Sequence, residues 1–70
     1  MEISKLNKIT GYRKMLSLTQ NDMAKLLGIS LSSYNKREKG RIEFSDKQKI
    51  IICDVITRHF PNENIESLFF

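Results

Sequence analysis

The stretch that decides the fold of this 70-residue chain is Thr19–Gly40, TQNDMAKLLGISLSSYNKREKG. It contains two segments with apolar residues at helical spacing, joined by a short turn. Each segment follows a hydroxyl residue that can accept a backbone N–H of the first helical turn, and each ends at a glycine that tolerates the left-handed C-cap conformation. The hydroxyl residues are Thr19 and Ser30, and the glycines are Gly28 and Gly40. The stretch therefore predicts a helix over 20–27, a turn and a helix over 31–39, which together form a helix-turn-helix.

The residues before this stretch predict a first helix over Ser4–Leu16. Leu6, Ile9 and Leu16 fall on one stripe at helical spacing, and Tyr12 and Met15 lie beside it. Gly11 weakens this helix by about 1 kcal/mol relative to alanine. The prediction of a helix therefore depends on the periodicity and not on helix propensity.

The residues after the stretch predict two further helices. Phe44 is expected in the core, and Ser45–Gln48 is a capping box, so that a fourth helix begins at Asp46 and continues to about His59. Pro61 ends that helix. Asn62 is then expected to cap a short helix through Leu68. The sequence thus predicts an all-α bundle of about five helices in a single domain, residues 1–70.

Composition limits the possible functions. The net charge of +4 and the pI near 9.5 suit a polyanionic partner without proving one. The N-terminus has no signal-peptide pattern, and the longest apolar run, Ile50–Cys53, is far too short to span a bilayer, so a cytoplasmic location is expected. Cys53 is the only cysteine, which excludes an intrachain disulfide, and neither a metal nor a cofactor is expected. No catalytic constellation is recognisable, and an enzyme is not expected.

The order of residues in the helix-turn-helix resembles the repressor/Cro-like family, also called the xenobiotic-response-element family. The residues that carry the resemblance are Gln20, Ala24, Gly28, Ile29, Ser30 and an inward-facing Tyr34. The resemblance extends from about Ile9 to Leu68. It implies a lambda-repressor-like fold in which helices 2 and 3 bind double-stranded DNA, with helix 3 in the major groove.

The resemblance also implies roles for individual residues. The outward residues of helix 3 are candidates for base contacts, and they are Leu31, Ser32, Asn35 and Lys36. Leu31 can contact only apolar groups, Lys36 can donate to guanine, and Asn35 can bond adenine if it reaches far enough. Candidate phosphate contacts are Thr19, Gln20, Arg37, Lys39 and Arg41. For each outward residue of helix 3, an ordinary exposed side chain remains the alternative.

Arg13 and Glu38 are expected to form a largely buried ion pair between helices 1 and 3, again as the resemblance implies. The alternative is two solvated charges. Two positions depart from the family pattern. Arg37 stands where an apolar residue is usual, and Ser17 stands where glycine is frequent.

The apolar residues of helix 4 cover well over half of its circumference, more than the core of a small domain requires. Either the C-terminal segment covers this excess or a second subunit does. The apolar end of the chain, Leu68–Phe70, fits both possibilities. A dimerisation segment is expected within residues 46–70, with an interface at Ile51, Val55, Phe69 and Phe70.

The predicted function is that of a sequence-specific DNA-binding transcription regulator, a repressor that binds an inverted repeat as a homodimer. One alternative is an antitoxin or restriction-controller regulator that also has a protein partner. Another is a protein-binding adaptor that has lost DNA binding, because Leu31 and Ser32 are weak base readers.

Overall fold

The computed structural model describes residues 5–70, with side chains from Lys8 onward. Over this range the chain forms five α-helices, as the sequence predicts. They are α1 (Lys5–Met15), α2 (Gln20–Leu27), α3 (Leu31–Glu38), α4 (Asp46–Thr57) and α5 (Ile65–Phe69). The predicted helix start at Ser4 and the predicted core side chain of Leu6 lie outside the described part of the chain.

The start of α2 carries a complete capping box. The Thr19 hydroxyl accepts the backbone N–H of Asp22 at 3.0 Å, and the Asp22 carboxylate accepts the backbone N–H of Thr19 at 2.8 Å. Gly28 ends α2 at φ 70°, in the left-handed conformation that the sequence predicts.

The second helix of the pair is capped and ended in the same manner. The Ser30 hydroxyl accepts the backbone N–H of Ser33 at 3.1 Å. Gly40 has φ 82°, and the backbone N–H of Arg41 donates to the carbonyl of Lys36 at 2.9 Å. Helix α3 therefore ends at Glu38, one residue earlier than predicted.

Helix α1 ends in a left-handed turn that is formed without glycine. Ser17 has φ 58°, and the backbone N–H of Leu18 donates to the carbonyl of Arg13 at 3.0 Å. Within α1, Ile9 is fully buried, whereas Met15 is 62% exposed. Met15, which the helical spacing places beside the apolar stripe, is the last residue of α1, and its side chain is mostly in solvent.

The capping box at Ser45 and Gln48 is present, and α4 begins at Asp46 as predicted. The helix ends at Thr57, somewhat before His59, and His59 is exposed. The cap of α5 is Asn64 and not Asn62. The Asn64 side chain accepts the backbone N–H of Ser67 at 2.8 Å, whereas Asn62 lies in the turn that follows Pro61.

Within residues 8–70 the buried apolar side chains form one cluster to which every helix contributes, and it comprises Ile9, Met23, Ala24, Tyr34, Phe44, Ile52, Ile56 and Leu68. Helix α5 packs on α1 and α4, and α2 packs on α3 and α4. The Phe69 ring lies edge-on to Phe44, with ring centroids 6.0 Å apart. The C-terminal segment therefore covers part of the apolar face of α4.

Candidate nucleic-acid interface

Helix α3 has one buried and one exposed side. Tyr34 and Glu38 face the core with exposed fractions of 0% and 6%. On the opposite side Leu31 is 47% exposed, and Ser32 and Lys36 are also exposed. This division keeps α3 anchored by one side while the other side is open to a partner.

The anchor on the buried side is Glu38. Its Oε1 accepts hydrogen bonds from Arg13 Nε at 2.7 Å and from the Tyr34 hydroxyl at 2.9 Å. The Arg13 guanidinium also donates to the carbonyl of Leu18 at 2.8 Å, in the turn between α1 and α2. A single carboxylate thus joins the end of α3 to α1, and the ion pair that the sequence suggests is present.

Glu38 is negatively charged although its side chain is buried. Desolvation acts to raise the pKa of this carboxyl, but the hydrogen bonds from Arg13, Gln20 and Tyr34 outweigh it and leave the pKa lowered. Burial and the neighbouring carboxylate raise the pKa of the Tyr34 hydroxyl, so it remains a donor. Glu38 is consequently a negative charge with donors on both of its oxygens.

Gln20, at the start of α2, lies between Glu38 and α3. Its Nε2 donates to Glu38 Oε2 at 2.7 Å, and its Oε1 accepts a hydrogen bond from Asn35 Nδ2 at 3.1 Å. Asn35 is half-buried. The sequence suggests an outward-facing Asn35, but in the structure its amide is turned towards α2. Helical periodicity could not reveal this contact, because it joins residues on two different helices.

Arg37 occupies the position at which the family pattern usually has an apolar side chain. Its guanidinium Nη1 donates to the carbonyl of Ser33 at 3.1 Å and also to the Ser33 hydroxyl, so the head group bends back along its own helix. Its Nε is buried and has no hydrogen-bond partner within residues 8–70. Because Nη1 is engaged by Ser33 and Nε is buried, a phosphate contact by Arg37 in this conformation would have to use Nη2.

The remaining predicted phosphate ligands differ in availability. Lys39 and Arg41 are exposed and lie on either side of Gly40, just beyond α3. Together with Lys36 they place three cations at and after the exposed end of the helix. The Thr19 hydroxyl is already used in the α2 cap, although the residue is exposed.

The described residues form neither a cluster of metal ligands nor a membrane-spanning helix. Residues 8–70 contain no group of three or more histidine, cysteine, aspartate or glutamate side chains that could hold a metal ion. The longest helix between residues 5 and 70 has 12 residues, and none there has the length and hydropathy of a membrane span. Cys53 is partly buried, and this burial raises the pKa of its thiol.

A family model described as helix-turn-helix matches residues 11–56, which is 46 of the 70 residues and includes α2, α3 and nearly all of α4. No curated protein and no solved structure matches the chain.

Proposed function

Because the chain belongs to the Cro/C1-type helix-turn-helix family of DNA-binding transcription regulators, we propose that it is a repressor that binds an inverted-repeat operator in double-stranded DNA as a homodimer. The observation that carries the proposal is the division of α3. Its inner side is fixed by the buried Tyr34 and Glu38, and its outer side leaves Leu31, Ser32 and Lys36 exposed. A helix held in this way can enter a major groove without losing its packing on the domain.

In this proposal the exposed side of α3 reads the bases. Lys36 donates to guanine O6 or N7, Leu31 contacts a thymine methyl, and Ser32 bonds a base edge with little discrimination. Asn35 belongs to the same predicted set, although its amide is turned towards Gln20.

The phosphate contacts would come from residues before and after α3 in the chain. Lys39 and Arg41 are exposed beyond the end of α3, and Gln20 lies in the first turn of α2, where the helix dipole also favours an anion. Such contacts set the affinity and the orientation of the protein on the duplex, but they do not select a sequence. A DNA-binding regulator of this kind would act in the cytoplasm.

The homodimer is proposed to form through the segment 46–70. Phe70 is 68% exposed, and Lys49 Nζ lies 4.5 Å from the centre of its ring. Ile50, which follows Lys49 in the sequence, is 60% exposed. Exposed apolar side chains of this size favour a protein contact. Ile51, Val55 and Phe69 are partly buried and would form the base of that interface.

The test is selection of bound duplexes from a random-sequence DNA pool at about 150 mM salt, where non-specific phosphate attraction is weak. We expect enrichment of a short inverted repeat whose half-sites are centred about one DNA turn apart. Binding that disappears at this salt concentration, with no enriched sequence, would contradict the proposal.

The repressor assignment needs a second experiment. The selected duplex is placed between a promoter and a reporter gene, and the protein is supplied from a separate plasmid. Expression should fall with the wild-type chain and recover with Lys36→Ala. An increase in expression would identify an activator instead.

A further inference from the structure

The hydrogen-bond chain that joins Glu38, Gln20 and Asn35 assigns a direction to each amide. A buried, charged carboxylate accepts hydrogen bonds and donates none, so the Gln20 atom 2.7 Å from Glu38 Oε2 must be the donor Nε2. The Gln20 oxygen then faces α3, and the Asn35 atom 3.1 Å from it must be the donor Nδ2. The charge of Glu38 thus fixes the orientation of two amides in succession.

The position of Asn35 on α3 fits a contact with α2 better than a contact with bases. With about 100° between successive residues of an α-helix, Asn35 lies about 60° from the buried Glu38 and about 60° from the exposed Ser32. It is half-buried, whereas Ser32 and Lys36 are exposed. Its short side chain is therefore at the edge of the reading surface and is held there by Gln20.

We propose that Asn35 is a positioning residue for DNA binding, one that acts by fixing the Gln20 amide for its phosphate contact, and that it does not read a base. With Oε1 held by Asn35 and one N–H held by Glu38, the Gln20 amide keeps its second Nε2 N–H for an anion at the start of α2. The base-reading set is then reduced to Leu31, Ser32 and Lys36. This inference rests on the proposed function, because it assigns Asn35 a part in the same DNA contact.

The expected effect follows from the freedom that Gln20 would regain. Without Asn35 the Gln20 side chain is held at one end only, and ordering it again on DNA binding costs about 0.5–1.5 kcal/mol, which corresponds to a two- to tenfold loss of affinity. The loss should be the same for every DNA sequence. A base contact would instead give a preference that changes at one position of each half-site.

The experiment compares the wild type, Asn35→Ala, Gln20→Ala and the double variant. The probes are the duplex that the wild type selects from the random pool and the pool itself, sequenced before and after binding. We expect Asn35→Ala to weaken binding two- to tenfold, to leave the base preferences unchanged, and to have no further effect when Gln20 is already alanine. Thermal unfolding of each variant serves as the control for folding.

A measurement on the free protein tests the same inference without DNA. The Gln20 side-chain amide gives a pair of ¹H–¹⁵N signals that are identified by their loss in Gln20→Ala. In the wild type these signals should be well separated from those of mobile amides, and in Asn35→Ala they should move towards them. A merely structural role for Asn35 would not produce both this change and the coupling in DNA binding.

Each other outcome would overturn the inference. A changed base preference would make Asn35 a base reader, and an effect of Asn35→Ala that persists in the Gln20→Ala background would show that Asn35 does not act through Gln20. Unchanged affinity in Asn35→Ala would show that Gln20 needs no such support. If the wild type enriches no sequence and does not bind at about 150 mM salt, the proposed function fails first and the inference fails with it.

Discussion

Arg13 and Glu38 are 25 positions apart in the chain, and in the fold Arg13 Nε lies 2.7 Å from Glu38 Oε1 with both side chains at least nine-tenths buried. A second ion pair, between Arg58 and Asp54, has the same 2.7 Å distance, but its side chains are 71% and 58% exposed. The two pairs therefore share this distance but differ in burial. The buried pair also has a second contact, from Arg13 Nη2 to Glu38 Oε2 at 3.4 Å, and Glu38 accepts further hydrogen bonds from Gln20 and Tyr34. Comparing the pairs contrasts a buried, fully hydrogen-bonded charge with a solvated one.

Glu38→Gln should destabilise the protein by about 3 kcal/mol, because it leaves the Arg13 guanidinium buried without a counter-charge. Asp54→Asn should change the stability by less than about 0.5 kcal/mol, because solvent screens that pair. Urea denaturation at pH 7 measures both. Equal effects of the two substitutions would show that the buried pair has no special role in holding α1 against α3.

Gly11 and Gly28 form a second matched pair, because an added Cβ would find no atom within 4 Å at either position. Gly11 lies inside α1, so Gly11→Ala should stabilise the protein by about 1 kcal/mol through helix propensity. Gly28 has φ 70°, so Gly28→Ala should destabilise it by about 1–2 kcal/mol through backbone strain. Thermal unfolding should give shifts of opposite sign. Shifts of the same sign would mean that side-chain space, and not backbone conformation, decides the outcome.

The left-handed Ser17 gives a further prediction. Ser17→Gly should stabilise the protein by about 0.5–1 kcal/mol, since the relief of strain at φ 58° exceeds the entropy that glycine adds to the unfolded chain. Ser32→Gly, on the exposed side of α3, is the matched control and should destabilise by roughly 0.5 kcal/mol. Both are measured by urea denaturation. A destabilising Ser17→Gly would indicate that the serine side chain makes a contact that outweighs the strain.

The features that could be predicted from the sequence are those formed within a few residues. The hydroxyls of Thr19, Ser30 and Ser45 cap helices that begin immediately after them, and Gly28 ends a helix at the residue where the spacing of apolar side chains stops. Such features need only local geometry, and they place α2 and α3 within one residue of the prediction.

The features that could not be predicted depend on how the helices cross. The contact between Gln20 and Asn35 joins two helices, and nothing in either helix alone shows that the Asn35 amide turns away from the exposed side. One local feature was also predicted wrongly: Asn64 and not Asn62 caps α5, since both asparagines follow Pro61 and either side chain could accept a backbone N–H of a first helical turn. The ion pair between Arg13 and Glu38 was suggested only by the family pattern, since two charges 25 residues apart carry no local signal.

Glu63 makes the stability depend on pH in the acid range. Hydrogen bonds from Ser67 and Tyr12, together with the Lys8 ammonium at 3.1 Å, lower the pKa of this carboxyl from 4.5 to about 2. A carboxyl with a lowered folded-state pKa contributes stability above its unfolded pKa and loses that contribution as the pH falls through the folded value. The loss should therefore lie between about pH 4.5 and 2, and solvent screening limits it to about 1–2 kcal/mol.

The variant Glu63→Gln tests this dependence by urea denaturation between pH 2 and pH 7. It should be less stable than the wild type at pH 7, and the difference should shrink as the pH falls below about 4.5. Glu43→Gln, which removes an exposed carboxylate, is the control and should follow the wild-type curve. A constant difference between Glu63→Gln and the wild type would mean that the carboxylate charge does not hold α5 against α1.

Lys36 and Lys39 are both exposed and carry the same charge, but the proposed function gives them different roles. Lys36→Ala should change the base preference at one position of each half-site and cost about 1–3 kcal/mol there. Lys39→Ala should weaken binding to all sequences about equally and reduce the slope of log affinity against log salt by about one unit. Arg58→Ala removes an equal charge from the end of α4 and controls for net charge. If Lys36→Ala and Lys39→Ala both weakened binding to all sequences equally, Lys36 would be a phosphate ligand. Only Leu31 and Ser32 would then contact bases, and these two side chains discriminate too weakly to define an operator on their own.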